Sequence, residues 1–432
     1  MNINIHKWSE VNEKTREFVL KRAEIDISEH MKLATEVSND IRERGDTAVL
    51  EYTEKFDKVK LSKDKIKVTL QEIENGYNRL DTEIRETIEY AAKNIRNFHE
   101  KQMPEEMWFT EVDKGLMVGE KTTPIVDVCL YVPRGKGSFP SVLLMLGIPA
   151  VIANVPKIVV VTPPNEEGNV DDTLLAAAKI IGITEIYKVG GIQAVASAAF
   201  GTETIPKCHK IIGPGNAYAT AAKRVLANYI DVGLPAGPSE AIILADEFAN
   251  PHNVALDWMI EAEHGPDSAS LLVTHSKELV DKVIPIMQEK LKKLSQKRQD
   301  FITANFSTYG GVILTDNLDE SIDFVNLYAP EHMEVMCENP FDLLPKIKNS
   351  GEILLGANTP VTLCNFLLGP NAILPTGGFA KTYSSVSVFD FLKRSSIGYA
   401  SREGFERVRE HAARFATAEG FDAHAAAASD RI

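Results

Sequence analysis

The sequence predicts an α/β protein: two Rossmann-like parallel-sheet domains with a helical N-terminal region and a C-terminal helical arm. Three observations carry this. Between residues 126 and 229, short apolar runs rich in β-branched residues alternate with helical patterns, and strand–helix alternation at this pitch argues a parallel sheet covered on both faces. A second series of the same texture runs from 241 to 355. At 432 residues the chain is also too long for one small core. The expected units are 1–110, helical; 111–240, a first α/β domain; 241–392, a second α/β domain; and 393–432, a C-terminal helical arm.

Taken in order, residues 10 to about 105 read as helices, with apolar residues at helical spacing over 28–43 and 71–97 and a stop at Gly45-Asp46. No chemistry is expected of this region. The first strand–helix series follows as 126–132, 139–153, 158–162, 173–181, 186–189, 193–200, 210–212 and 217–229. The second comprises 241–245, a helix over 251–264, 269–274, a long helix to about 294, 311–314, 321–328, 333–336 and 353–355. Beyond Lys393 the chain reads as mostly polar and helical, with an alanine-rich tail; such an arm either frays or docks on a partner subunit.

Composition excludes several classes. The net charge of −14, with no Lys/Arg block, leaves no electrostatic footprint for nucleic acid. No apolar run approaches the roughly 20 residues of a membrane span, and residues 1–15 lack the apolar centre of a signal peptide. Four scattered cysteines form no C-x-x-C pair, so the expectation is reduced thiols and a cytoplasmic protein.

The stretch on which the chemistry turns is Ile260-Glu261-Ala262-Glu263-His264-Gly265-Pro266. On a helix, Glu261 and His264 project from one face, and a carboxylate with an imidazole suits a transition metal, zinc first. Taken alone, Glu-x-x-His is a common helix-surface pair. Three glycine-rich loops follow strands: Tyr131-Val132-Pro133-Arg134-Gly135, Gly190-Gly191-Ile192-Gln193 and Gly213-Pro214-Gly215-Asn216. None matches G-x-G-x-x-G, but three in one sheet domain suggest a nucleotide crevice. Glu331-His332, launched by Pro330 between a helix and a strand, is a plausible acid/base pair. Near the C-terminus stand Glu419 and His424; seven other histidines lack a carboxylate or glycine context that suggests ligation.

Together with Leu234-Pro235-Ala236-Gly237-Pro238-Ser239-Glu240 and Leu374-Pro375-Thr376-Gly377-Gly378, these motifs resemble the histidinol dehydrogenase family over nearly the whole chain. The resemblance implies a zinc-dependent oxidation of an amino alcohol through an aldehyde to an acid, with NAD reduced twice. By motif match, Tyr131, Gln193 and Asn216 fall at NAD-binding positions, His332 on the general base and Glu331 on the residue that activates water. Ser239 and Glu419 fall on substrate contacts, and His264 and His424 on zinc ligands. In the family the substrate itself binds the zinc, the general base His332 also contacts it, and the C-terminal arm crosses to the partner subunit. A homodimer with shared sites is therefore expected.

Three positions depart from the family pattern. Glu261 replaces a metal-binding glutamine and Asn365 a metal-binding aspartate, which conserves the ligand charge while exchanging the two positions. Both stay in the expected metal set with His264 and His424, and all four also count as substrate-site residues. Ala372 replaces a histidine, and Arg134 and Cys364 stand where glycine is usual. L-Histidinol is the default substrate. The rival is another small polar alcohol, such as a sulfonated propanediol, with Arg134 or Lys381 available for an anionic group. A zinc hydrolase using Glu331 would not need the glycine loops, and a catalytically silent binding protein would not need Glu331, His332, His264 and His424.

Overall fold

A computed structural model describes residues 1–22, 28–135 and 137–432. In chain order the strands are β1 (Ile5–Lys7), β2 (Met107–Asp113), β3 (Leu116–Pro124), β4 (Val128–Tyr131), β5 (Ile158–Thr162), β6 (Glu185–Lys188) and β7 (Ile211–Ile212). They continue with β8 (Glu240–Ala245), β9 (Ala269–Thr274), β10 (Gly311–Leu314), β11 (His332–Met336), β12 (Leu354–Leu355) and β13 (Leu392–Ala400). Two parallel sheets result, ordered β6-β5-β4-β7 and β1-β10-β9-β8-β11-β12. A third, antiparallel sheet runs β13-β3-β2.

The β-branched runs form strands because both faces are buried, and the alternation of side chains sorts them into separate cores. In the first sheet Val128, Leu130, Val160 and Ile186 pack on one side, with Cys129, Tyr131, Val159 and Val161 on the other. In the second, Ile243, Leu272, Val312 and Met336 face one way, and Ile242, Leu271, Ile313 and Val335 the other. Counted from β4, the first sheet has the order 3-2-1-4, and counted from β8, β10-β9-β8-β11 repeats it within the second, so each reverses direction at one point: between β4 and β7, and between β8 and β11. Ligands in open α/β sheets favour the carboxyl ends of the strands at such a point.

The helical N-terminal region covers the first sheet. Thr69 and Glu72 form a capping box on Leu70–Arg79, and Asp81 caps Thr82–Glu100. Three expectations need correcting. The region is not chemically inert: Arg22 binds Glu240, and Asp57 accepts from Gln193 Nε2 at 3.0 Å. Residues 392–400 are a strand instead of helix, since Ser395, Ser396 and Gly398 are poor helix formers and the edge of β3 is open to pairing. The stretch 251–264 is not one helix either. It is helical over Pro251–Asp257 and tightens to a 3-10 turn at Glu261–Glu263. The cause is a tie to the next strand: the Ser270 hydroxyl donates to the Trp258 carbonyl at 2.7 Å while Trp258 Nε1 donates to the Ser270 carbonyl at 3.1 Å, so Trp258 is tied to β9.

Candidate active site

The first crevice forms where β4, β6 and β7 end. Tyr131, the last residue of β4, is buried, and its hydroxyl accepts from Gly191 N–H at 3.0 Å. Burial pushes that phenol up to about 12, so it stays protonated. After β7 the chain turns at Gly213, φ +135°, where a Cβ would lie 2.1 Å from the Tyr131 carbonyl oxygen; only glycine permits the approach. Asn216 then caps the helix Ala217–Leu226, its Oδ1 accepting from Tyr218 and Ala219 N–H, both at 3.1 Å. Gln193 is 1% exposed, and its Oε1 lacks a hydrogen-bond partner. Tyr131, Gln193, Asn216, Asp57 and Arg134 border a cavity of about 560 Å³. Burial pushes the Asp57 carboxyl up to about 6.

Asn216 also borders a second cavity, about 750 Å³, whose far wall is Pro238, Glu240, Asp267 and Gly377 with Arg22. Here the second sheet presents the amino ends of its strands. Glu240, at the head of β8, accepts from Arg22 Nη1 at 2.7 Å and from Gly377 N–H at 2.7 Å, and its own N–H donates to Glu331 Oε2 at 2.8 Å. At the head of β11, His332 is 3% exposed, with Nε2 3.8 Å from Glu331 Oε1. His332 Nδ1 is hydrogen-bonded to Glu352 Oε1, and the Cys364 thiol donates to Glu352 Oε2. Burial pushes the Glu331 carboxyl up to about 8, with Glu261 adding to the rise and His332 opposing it. Burial pulls the His332 imidazole down, but Glu352, Glu331 and Glu261 outweigh it and raise the ring to about 10.

Glu261 is 1% exposed and neither of its oxygens has a hydrogen-bond partner. His264 is exposed beside it, Nε2 3.5 Å from Glu261 Oε2, while its Nδ1 lies 3.4 Å from Ser239 Oγ. Asn365 lies on the helix Val361–Phe366, whose Val361 and Cys364 pack against Ile260, next to Glu261. The structure thus gathers Ser239, Glu261, His264, Glu331 and His332 around one wall, with Asn365 on the adjoining helix.

Glu419 and His424 are not brought there. They sit in an arm of two helices, Arg402–Ala418 and Asp422–Ser429. Among the described residues, that arm's hydrogen bonds and ion pairs stay within it or reach the β2–β3 hairpin. No group of three or more His, Cys, Asp or Glu side chains among the described residues closes a metal site within one chain. Arg134 borders the first cavity, where its Nε donates to Asp171 Oδ2 at 3.1 Å. Sequence reasoning missed Arg22, Asp57 and Glu352. An acid between Gly351 and the apolar pair Ile353-Leu354, at the start of a buried strand, was the available signal for Glu352.

The comparisons agree with this geometry. A family model described as Histidinol dehydrogenase matches residues 20–432. A histidinol dehydrogenase of Synechocystis is 48% identical over 95% of this chain and 95% of its own length. A histidinol dehydrogenase homolog of Colwellia psychrerythraea is 47% identical over 99% and 96%. The crystal structure of histidinol dehydrogenase from Elizabethkingia anophelis superposes with a TM-score of 0.93 at 34% identity, covering 100% of this chain and 97% of that one. With the glycine loop 213–216 and the head of β8 lining one cavity, and with these relatives matched end to end, the chain belongs to the histidinol dehydrogenase family, oxidoreductases that act on CH–OH groups.

Proposed function

We propose that the protein is a zinc-dependent, NAD-linked dehydrogenase that oxidises an amino alcohol through an aldehyde to an acid, with L-histidinol as substrate. The observation that carries the reading is Glu261, a buried carboxyl with two unpartnered oxygens beside His264. An unpaired buried carboxylate is costly unless a cation compensates it. Glu261 and His264 would hold zinc with Asn365 and with His424 from a second copy of the chain, two imidazoles and oxygen donors being a catalytic set. Zinc held there would help to position the substrate and would offset the carboxylates that keep His332 protonated.

The other roles belong to the chain's own side chains. His332 takes the alcohol proton as hydride leaves for the nicotinamide. Glu331, held by the Glu240 N–H and poised near neutrality, accepts a proton from water in the second oxidation. Tyr131, Gln193 and Asn216 would hold NAD across the first crevice, where the orphaned Gln193 Oε1 and the close-approach glycine at 213 suit a polar ligand. A homodimer is supported by exposed Trp108, Phe109, Val112 and Tyr399 on the antiparallel sheet, with Phe415 and Phe421 exposed on the arm.

A second reading keeps this machinery and changes the alcohol. It is favoured by Ala372, which packs beside Val361 and Cys364 where an imidazole is usual, and by Arg224 in the wall of the larger cavity. A sulfonated propanediol is an alcohol of that kind. Metal analysis, chelation and zinc return should show activity that follows zinc; full turnover in metal-free protein would overturn the metal role. For L-histidinol a kcat/KM of ~10⁴ M⁻¹s⁻¹ or more supports the first reading, and no turnover by zinc-loaded dimer supports the second.

A further inference from the structure

His332 is buried at the head of β11. Its Nε2 faces Glu331 at 3.8 Å, and its Nδ1 is hydrogen-bonded to Glu352, itself only 9% exposed. Glu352 is placed there by backbone. It stands two residues before β12, the parallel neighbour of β11, and the two strand heads are joined where Gly351 N–H donates to the Pro330 carbonyl at 2.9 Å and Glu352 N–H to the Glu331 carbonyl at 3.1 Å. Residue 351 must be glycine for this, because a Cβ would lie 2.5 Å from the Glu331 carbonyl oxygen. The second oxygen of Glu352 is occupied by the Cys364 thiol. Both carboxylate oxygens are therefore committed, and the group cannot swing.

We propose that Glu352, oriented by Cys364, is the positioning residue of His332: by accepting Nδ1–H it leaves Nε2 as the one ring nitrogen able to take a proton from substrate. A neutral imidazole carries one N–H, and the nitrogen that donates is fixed by what the other group accepts. A carboxylate at Nδ1 thus selects the tautomer whose lone pair is on Nε2, the nitrogen on the Glu331 side, and stabilises the imidazolium once the proton arrives. The proton moves from the alcohol oxygen to Nε2, the hydride goes to the nicotinamide, and Glu352 keeps its charge throughout. This rests on the reading of His332 as the base.

The test uses the zinc-loaded full chain, with L-histidinol and NAD as probes and ¹⁵N-histidine labelling for the ring. The His332 signals are assigned by their loss in His332→Gln. Wild type should show a protonated Nδ1 at the pH where the ring is neutral. In Glu352→Ala the Nε2–H tautomer should gain population, and kcat should fall by ~10–100-fold, as loss of a partner behind a reacting imidazole commonly costs, with both KM values unchanged. Glu352→Asp should recover part of kcat, and Cys364→Ala should lose less than Glu352→Ala. An unchanged tautomer in Glu352→Ala overturns the proposal, as does a kcat equal to wild type. If Glu352→Ala does not fold, Glu352→Leu provides the same ring readout, since its side chain is of similar size and cannot accept Nδ1–H. Full turnover by His332→Ala would instead remove the base reading, leaving the tautomer result to stand on its own.

Discussion

The two parallel sheets share a strand order and use opposite ends of it. In the first, the crevice opens at the carboxyl ends, with Tyr131 closing β4 and Gly213–Asn216 following β7. In the second, Glu240, His332 and Glu352 lie at or just before the amino ends of β8, β11 and β12. The carboxyl-end switch point of the second sheet is shut: Asp246, 7% exposed, accepts from Glu338 N–H at 2.7 Å and from Phe248 N–H at 3.1 Å. Sheet topology therefore locates one half of the candidate site and misdirects for the other. What decides between the ends is whether buried polar groups there are already satisfied. Asp246 is, and Glu261 and Gln193 Oε1 are not.

The contrast can be broken most sharply at His332. His332→Ala should lower turnover by ~10²–10⁴-fold with NAD binding intact, as expected for loss of a general base; steady-state kinetics and cofactor titration check it, and a loss confined to NAD affinity would move the chemistry to the first sheet. Mixing inactive His264→Ala and His424→Ala chains should restore activity, since one site in each heterodimer then has both imidazoles. No recovery in heterodimers verified by native mass spectrometry would mean the second sheet needs nothing from a partner. Asp246→Ala should leave kcat and KM unchanged and cost about 1–3 kcal/mol of stability, the penalty for backbone donors left unsatisfied, measured by denaturant unfolding. A kinetic defect would show that the shut end takes part after all.

The smallest effect is a tilt with pH. In metal-free protein the folded-state Glu331 carboxyl titrates near 8 instead of its ordinary value of 4.5, so the folded state binds the extra proton between them. Stability from this group is present at the acid end and lost as pH rises through about 8; His332, raised from 6.5 to about 10, tilts the same way. Glu331→Gln should therefore raise Tm more at pH 9 than at pH 5. An equal gain at both would mean the carboxyl is not held up in the folded protein.

Much of this was legible in the sequence because it is written in local periodicity. The β-branched runs gave the strands, and Pro-Glu-His and Gly-Pro-Gly-Asn punctuated their ends. What escaped depends on contacts across the chain. Residues 251–264 keep a helical pattern, yet the tie between Trp258 and Ser270 stops the helix early. The hairpin 107–124 was unread because its apolar side chains, the consecutive Met107, Trp108 and Phe109 among them, fall on both faces of an exposed strand and leave no alternating pattern. Glu352 looks like any surface acid until β12 is laid beside β11. Arg22 and Asp57 are distant in sequence from Glu240 and Gln193, and no spacing rule connects them.

The way the chain is stitched has a consequence for its synthesis. β1 pairs with β10 at Ile5 and Val312, so the first strand made waits for most of the protein to be translated before it finds its neighbour. The first sheet waits too, since Ile373, Val386 and Phe391 complete one of its cores. Neither half can finish while the ribosome is still adding the other, and contacts so far apart are slow to close. A fragment ending near residue 240 would emerge with the part of that core that Ile373, Val386 and Phe391 complete left uncovered, and would be a substrate for chaperones instead of a free-standing nucleotide-binding module.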